Sequence, residues 1–423
     1  MDQMSRQLLY LLSVSMGTDR DIVFDTAETD WDELFFISGI HNILPMIYHS
    51  VNKKQLLPFV KPDLAGAWKK LAIRATVDQI IRTEEFLSVY GRLRKAGVKA
   101  LVVKGIVLRM LYPNHNERIS GDEDIYIRRE DFYKADVILT SSGFRMAPEA
   151  RKGRTPKQET VYVSAMTGLL LEVHLDLFDP TIGLYKAMND KFEKAFENSI
   201  EINTCGFSIC TLSYSDHLLF LVLHCAKHFV GMGFGIRQVC DLVLFCNTYG
   251  KEVDYPRVWR QVSELGYQTF FLNLLAIGRE CLGLSDQTVW YPPTAEQTDI
   301  HSDALLEDIM KAGIFGKSTE DRTKTCSLTL QAVIADREYR RKGKAGNSLL
   351  RIIFPNREFM KDKYFYCWNK PFLLPLAWLH RMVTNLLQVK NPVKMIHKTN
   401  RSIAMGRERI ELLKEYKIIG IQD

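Results

Sequence analysis

The stretch Arg118-Ile119-Ser120-Gly121-Asp122-Glu123-Asp124-Ile125-Tyr126-Ile127 sets two aspartates one residue apart at the entrance to an apolar, β-branched run. On a strand, side chains at i and i+2 point to one face, so Asp122 and Asp124 present two carboxylates together while Glu123 turns away. Carboxylates that close repel each other unless a cation lies between them. Mg²⁺ takes such oxygen ligands, commonly together with substrate phosphates. The pattern points to metal-assisted phosphoryl or nucleotidyl chemistry.

Two-metal phosphoryl transfer needs a further ligand to hold the ion that activates the attacking oxygen. Leu169-Leu170-Leu171-Glu172-Val173-His174-Leu175-Asp176 offers one. Strand alternation places Glu172, His174 and Asp176 on one face and the apolar residues on the other. A carboxylate between Leu171 and Val173 is costly on a buried strand unless it is paired or metal-bound. Glu172 is therefore the expected third ligand, completing a catalytic and metal-binding set of Asp122, Asp124 and Glu172. His174 is expected to orient Glu172 or touch the substrate, and Asp176 to belong to the strand's exit.

Cations for the phosphates come from the flanks of this set. Lys104 precedes Gly105 at a turn and can meet phosphate as a point charge. Arg118 can clamp phosphate bidentately, or pair with Asp122 or Asp124 when no metal is bound. Lys104, Gly105 and Arg118 form the expected nucleotide-binding group. His224 and His228 lie four residues apart on one helix face. With no third transition-metal ligand evident, they are expected near the substrate or tied to Asp241.

These groups must be positioned by alternating elements. Residues 1–95 carry helical periodicity, with Asp30 as an N-cap and a long helix from Leu64 to Lys95 closed by Gly97. A strand is predicted over Val98–Val103, a helix over Ile106–Tyr112 ending before Pro113, a strand over Ile125–Ile127 and a helix over Asp131–Ser141. Gln158–Ser164 and Leu169–Leu177 read as strands joined by a turn at Met166-Thr167-Gly168. From Ser213 the helical period returns, with a loop expected within His301–Thr325. The fold class is α+β: a small mixed-sheet core over residues 96–212, flanked by helical regions over 1–95 and 213–423.

The ordered set Lys104-Gly105, Tyr112-Pro113, Arg118, Asp122-x-Asp124 and Glu172-x-His174 resembles the nucleotidyltransferase superfamily with the DNA polymerase β-like fold. Within it the chain is most similar to the bacterial family labelled uncharacterised nucleotidyltransferase, and more distantly resembles abortive-infection toxin nucleotidyltransferases. The likeness extends to His41 with Pro45, to His224, His228 and Asp241, and to Arg381. It implies Mg²⁺ (or Mn²⁺) as cofactor, an NTP such as ATP as substrate, and transfer of NMP to an acceptor hydroxyl. The chain departs from the wider superfamily at the turn, where Gly105 is followed by Ile106 rather than by a serine or glycine. Two other functions keep the same fold: a toxin-like enzyme modifying tRNA or a protein, and a non-catalytic nucleotide-binding module.

Composition narrows the partners. The 423 residues are 46% hydrophobic and 25% charged, with a formal net charge of +6. Such mild basicity suits an anionic substrate but not a dedicated nucleic-acid binder, which carries a clustered basic stripe. A small-molecule or peptide acceptor is favoured over nucleic acid. The basic residues Lys390, Lys394, Lys398, Arg401, Arg407 and Arg409 read as a solvated helix face. Eight cysteines without C-x-x-C spacing fit reduced thiols. No secretory leader is evident, and the apolar run Pro371–Leu379 is about half of what a bilayer requires, so a cytoplasmic location is expected.

Overall fold

The computed structural model describes residues 1–18, 24–147, 158–180, 182–204, 206–231, 233–312, 354, 357–360, 364–387 and 408–418. The chain divides into two compact units, one made of Met1–Lys227 with Phe234–Ile314 and the other of His228–Gly233 with Phe315–Asp423. The first carries the sheet and the proposed active site.

Helices open the first unit: α1 (Gln3–Ser15), α2 (Trp31–Ile40), α3 (Leu44–Lys53) and α4 (Pro62–Lys95). The side chain of Asp30 caps α2 through the Glu33 amide at 3.0 Å, as its residue type and position predict. α4 begins two residues before the expected Leu64, because Pro62 fits the first helical turn, where no amide partner is needed. Arg92, Arg94 and Lys95 favour its C-terminal end through the helix dipole. Gly97, at φ +76°, ends it.

The fold is α+β, built on a mixed sheet of five strands: β1 (Leu101–Val102), β2 (Asp122–Tyr126), β3 (Phe144–Met146), β4 (Glu159–Ser164) and β5 (Leu170–His174), in the order β1-β2-β5-β4-β3. β2 and β5 run parallel and the other neighbours antiparallel. The expected β4–β5 hairpin is present. Ser164 Oγ accepts the Met166 and Thr167 amides at 3.0 and 3.1 Å, and Gly168 turns the chain at φ +69°.

One sheet face is apolar. Ile125, Leu171, Val173 and Tyr162 pack with Phe86, Leu87, Tyr90 and Leu93 of α4 and with Phe132 and Leu139 of α6 (Phe132–Ser141). The opposite face receives Asp122, Asp124, Glu172 and His174, so one alternation serves both core and site.

Several bounds differ from the sequence reading. Only Leu101–Val102 of the run Val98–Val103 forms strand, although the Val103 amide still bonds to the Asp124 carbonyl at 3.1 Å. The helix after Gly105 is the single turn α5 (Ile106–Arg109), and the chain reaches Tyr112 through i→i+3 bonds. β2 starts at Asp122 itself, so both aspartates are strand residues rather than lead-in. β3 and a separate hairpin, β6 (Ile200–Thr204) with β7 (Phe207–Thr211), were not anticipated. Between β5 and β6 lies the short helix α7 (Gly183–Asn189).

Helices then return as α8 (Tyr214–Gly231), α9 (Ile236–Tyr249), α10 (Tyr255–Glu264), α11 (Gln268–Cys281) and α12 (Ser302–Ala312). α12 occupies the start of the stretch His301–Thr325; the loop expected within that stretch falls on residues 313–325, which lie outside the described residues. In the second unit, Leu374–Leu387 is helical, and so are residues 408–415. Of the basic tail, only Arg409 falls among the described residues, where its guanidinium bonds to the Phe229 carbonyl. No described helix is long and apolar enough to cross a membrane. Cys210, Cys225, Cys240, Cys246, Cys281 and Cys367 are free thiols.

Candidate active site

Parallel register sets the geometry. Asp122 lies opposite Leu170, Asp124 opposite Glu172, and Tyr126 opposite His174. Asp124 and Glu172 therefore share a face across the strand pair. His174 Nε2 lies 3.0 Å from Asp124 Oδ1 and 3.6 Å from Glu172 Oε2. Asp124, Glu172 and His174 each bring a ligand atom within 4.8 Å of the others, forming a metal-competent cluster among the described residues. Asp122 stands outside that trio, and His174, read from the sequence as a supporting residue, stands inside it.

Lys104 joins from the turn after β1. Its ammonium is 3.0 Å from Asp124 Oδ1 and 3.3 Å from His224 Nε2. Asp124 is 1% exposed. Burial alone would raise its pKa, but the Lys104 charge and the His174 hydrogen bond outweigh it and hold the carboxyl well below the usual range. Asp122 moves the other way: burial and the neighbouring Asp124 charge push it up. His174 is pulled down by burial, but its bonds to Asp124 and Glu172 raise it to about 9.

The turn carrying Lys104 is fixed from beneath. Glu123, which does turn away from the aspartates, is buried. It accepts the Ile106 amide at 2.9 Å and pairs with Arg109 at 2.5 Å. Gly105 sits directly over it at φ +57°, where an added Cβ would fall 1.8 Å from Glu123 Oε2. Glycine is thus required by both conformation and space. An acid on the core side of an apolar strand, with an arginine inside the apolar run Ile106–Leu111, was the available signal for this pair.

Arg118 is placed otherwise than expected. Its Nε and Nη2 bind Asp241 Oδ1 and Oδ2 at 2.8 and 2.6 Å, and Nη1 donates to Ser120 Oγ at 3.3 Å. It is 3% exposed, and the Tyr112 hydroxyl donates to Asp241 Oδ1 at 2.7 Å. The guanidinium ties the approach to β2 onto α9 instead of pairing with Asp122 or Asp124. The same contacts give Asp241 the partners Arg118 and Tyr112. Of the two histidines, His224 meets Lys104; His228 is buried in the short segment His228–Gly233 of the second unit.

Sequence reasoning also missed Arg237, in the first turn of α9, whose Nη1 bonds to the Ile119 carbonyl just upstream of the aspartates. Residues 27–283 match the uncharacterised nucleotidyltransferase family, a span that covers more than half of the chain and contains every site residue named here. No curated protein and no solved structure matches the chain. The chain belongs to the uncharacterised nucleotidyltransferase family and is a nucleotidyltransferase, an enzyme that transfers a phosphorus-containing group.

Proposed function

We propose that this nucleotidyltransferase is Mg²⁺-dependent and moves NMP from an NTP to an acceptor hydroxyl on a small molecule or peptide. The observation that carries the reading is Asp124: its Oδ1 is held by Lys104 and His174, while its Oδ2 is buried with no hydrogen-bond partner. A buried carboxylate oxygen left open beside Glu172 and His174 fits a divalent cation. Asp124 and Glu172 would hold it, with Asp122 flanking and His174 joining as its proton is released on metal binding. Bound there, the cation would neutralise charge at the α-phosphate and ease loss of the acceptor's proton.

The remaining work falls to the chain. The acceptor oxygen bonds to the α-phosphorus, the bond to the β-phosphate bridging oxygen breaks, and pyrophosphate leaves. Glu172, with 22% of its side chain exposed, is the most open member of the trio, and it receives the hydroxyl proton. Lys104 lies close enough to Asp124 to add positive charge where the phosphoryl group becomes more negative. The Glu123–Arg109 pair keeps the Lys104–Gly105 turn against β2. Arg118, with Asp241, keeps the entrance to β2 in place. Binding and transfer are tested by incubating the full chain with each α-labelled NTP, Mg²⁺ and, in separate reactions, fractionated small molecules or total RNA, then identifying labelled products by mass spectrometry. Label transfer to a hydroxyl compound supports the reading, and transfer confined to nucleic acid would replace the acceptor class.

A further inference from the structure

Arg118 has its fork occupied by Asp241, which leaves the phosphates of the substrate short of a guanidinium. Arg237 meets that need. It lies one turn before Asp241 on α9, and its only hydrogen bond among the described residues is from Nη1 to the Ile119 carbonyl. Its Nε is buried with no hydrogen-bond partner, and no carboxylate forms an ion pair with it among the described residues. Arg237 and Asp122 nevertheless act on each other electrostatically. Burial and then the like charge of Arg118 pull the Arg237 pKa down, and Asp241 and Asp122 only partly oppose them. Arg237 is thus an under-compensated cation anchored just upstream of the aspartates.

Charge balance favours the same assignment. Lys104 is committed to Asp124, and Arg118 to Asp241. A triphosphate entering beside Asp122, Asp124 and Glu172 brings more negative charge to an already acidic face. An arginine with unused donors offers a planar pair of N–H groups that matches two phosphate oxygens, a fixed fork that a lysine ammonium lacks.

We infer that Arg237 binds the β- and γ-phosphates of the nucleotide, the diphosphate moiety that leaves as pyrophosphate. This assignment rests on the nucleotidyl-transfer reading and gives the phosphate-clamping role to Arg237 rather than Arg118. It predicts that the free diphosphate is itself a ligand.

The test is calorimetric titration of the full chain with Mg·pyrophosphate, and separately with Mn²⁺ alone. Arg237→Gln should weaken Mg·pyrophosphate binding about 10- to 100-fold, the loss expected for charge-assisted hydrogen bonds. Mn²⁺ binding should stay within about twofold, since Arg237 is not a metal ligand. Arg237→Lys should fall between glutamine and wild type. A folded Arg237→Gln protein that binds Mg·pyrophosphate as wild type does overturns the assignment, and so does an equal loss of Mn²⁺. If the glutamine variant does not fold, Arg237→Lys decides, because its ammonium can still donate to the Ile119 carbonyl. Wild-type affinity there overturns the assignment. Wild-type protein that binds neither Mg·pyrophosphate nor any of the four Mg·NTPs defeats the nucleotidyl-transfer reading itself, a result distinct from an indifferent Arg237.

Discussion

Asp124 and Glu172 stand opposite each other on the parallel strands β2 and β5, so two carboxylates 48 positions apart in the chain share one face of the sheet. A one-residue slip of β5 would turn Glu172 toward the apolar core and bring Leu171 or Val173 to the site. Core packing of Leu171 and Val173 against α4 therefore fixes the position of Glu172 as well. Fold and site are held by the same register.

The two carboxylates should differ in what they do for stability. Asp124→Asn removes the charge that Lys104 and His174 face in a buried setting, and should cost roughly 2–4 kcal/mol. Glu172→Gln changes a partly open side chain and should cost less than about 1 kcal/mol. Urea unfolding of the two variants measures the difference; equal losses would contradict the unequal burial of the two side chains.

Gly105→Ala should be among the most damaging single-methyl changes in the chain. The new Cβ collides with the buried Glu123 carboxylate and forces alanine into a left-handed conformation. A loss of about 3 kcal/mol or more is expected. Thermal unfolding tests this, and a variant within about 1 kcal/mol of wild type would show that Glu123 does not hold the turn.

Arg118 and Asp241 should be strongly coupled. Removing either alone leaves a buried charge without its partner, at a cost of roughly 3–5 kcal/mol. Arg118→Met with Asp241→Leu should cost much less than the sum of the single changes. A double-mutant cycle on unfolding free energies reads the coupling, and additive effects would rule out the bidentate pair as the tie between β2 and α9.

Stability should fall on mild acidification through two buried histidines. His41 bonds through Nε2 to the Met310 carbonyl at 3.1 Å and accepts the Ile236 amide at Nδ1 at 3.4 Å, an arrangement that suits the neutral ring. Burial lowers the pKa of His41, and likewise of His217, to about 4. Between the unfolded value of about 6.5 and the folded value of about 4, the unfolded chain binds protons that the folded chain does not. Stability is complete above this window and declines as pH falls through it, by about 3 kcal/mol for each fully buried ring. Denaturation midpoints measured from pH 7 to 4 check the slope, which should become shallower in His41→Gln.

Much of the site was legible in local pattern. Alternation put Asp122 and Asp124 on one strand face and singled out Glu172 and His174, while Lys104-Gly105 marked a turn. The partner choices were not legible, because they depend on contacts far apart in the chain. Arg118 finds Asp241 across 123 positions. Nothing near either residue records that pairing. His174 also enters the ligand cluster because of the parallel register of β5 beside β2, which periodicity alone does not reveal. Glu123 was readable as turned inward, but its hold on Arg109 and the Ile106 amide follows from how α5 folds back over β2. β3, with only three residues, was too short for alternation to register.

Nucleotidyl transfer by this chain should depend on Asp124. The decisive measurement compares wild type and Asp124→Asn for transfer from NTP labelled at the α-phosphate, with pyrophosphate release followed in parallel and folding checked by circular dichroism. Label should appear on an acceptor with matching pyrophosphate in the wild type, and both should fall at least about 1000-fold in the variant, in keeping with loss of the charge stabilisation the site supplies. Undiminished transfer by folded Asp124→Asn protein would contradict that dependence.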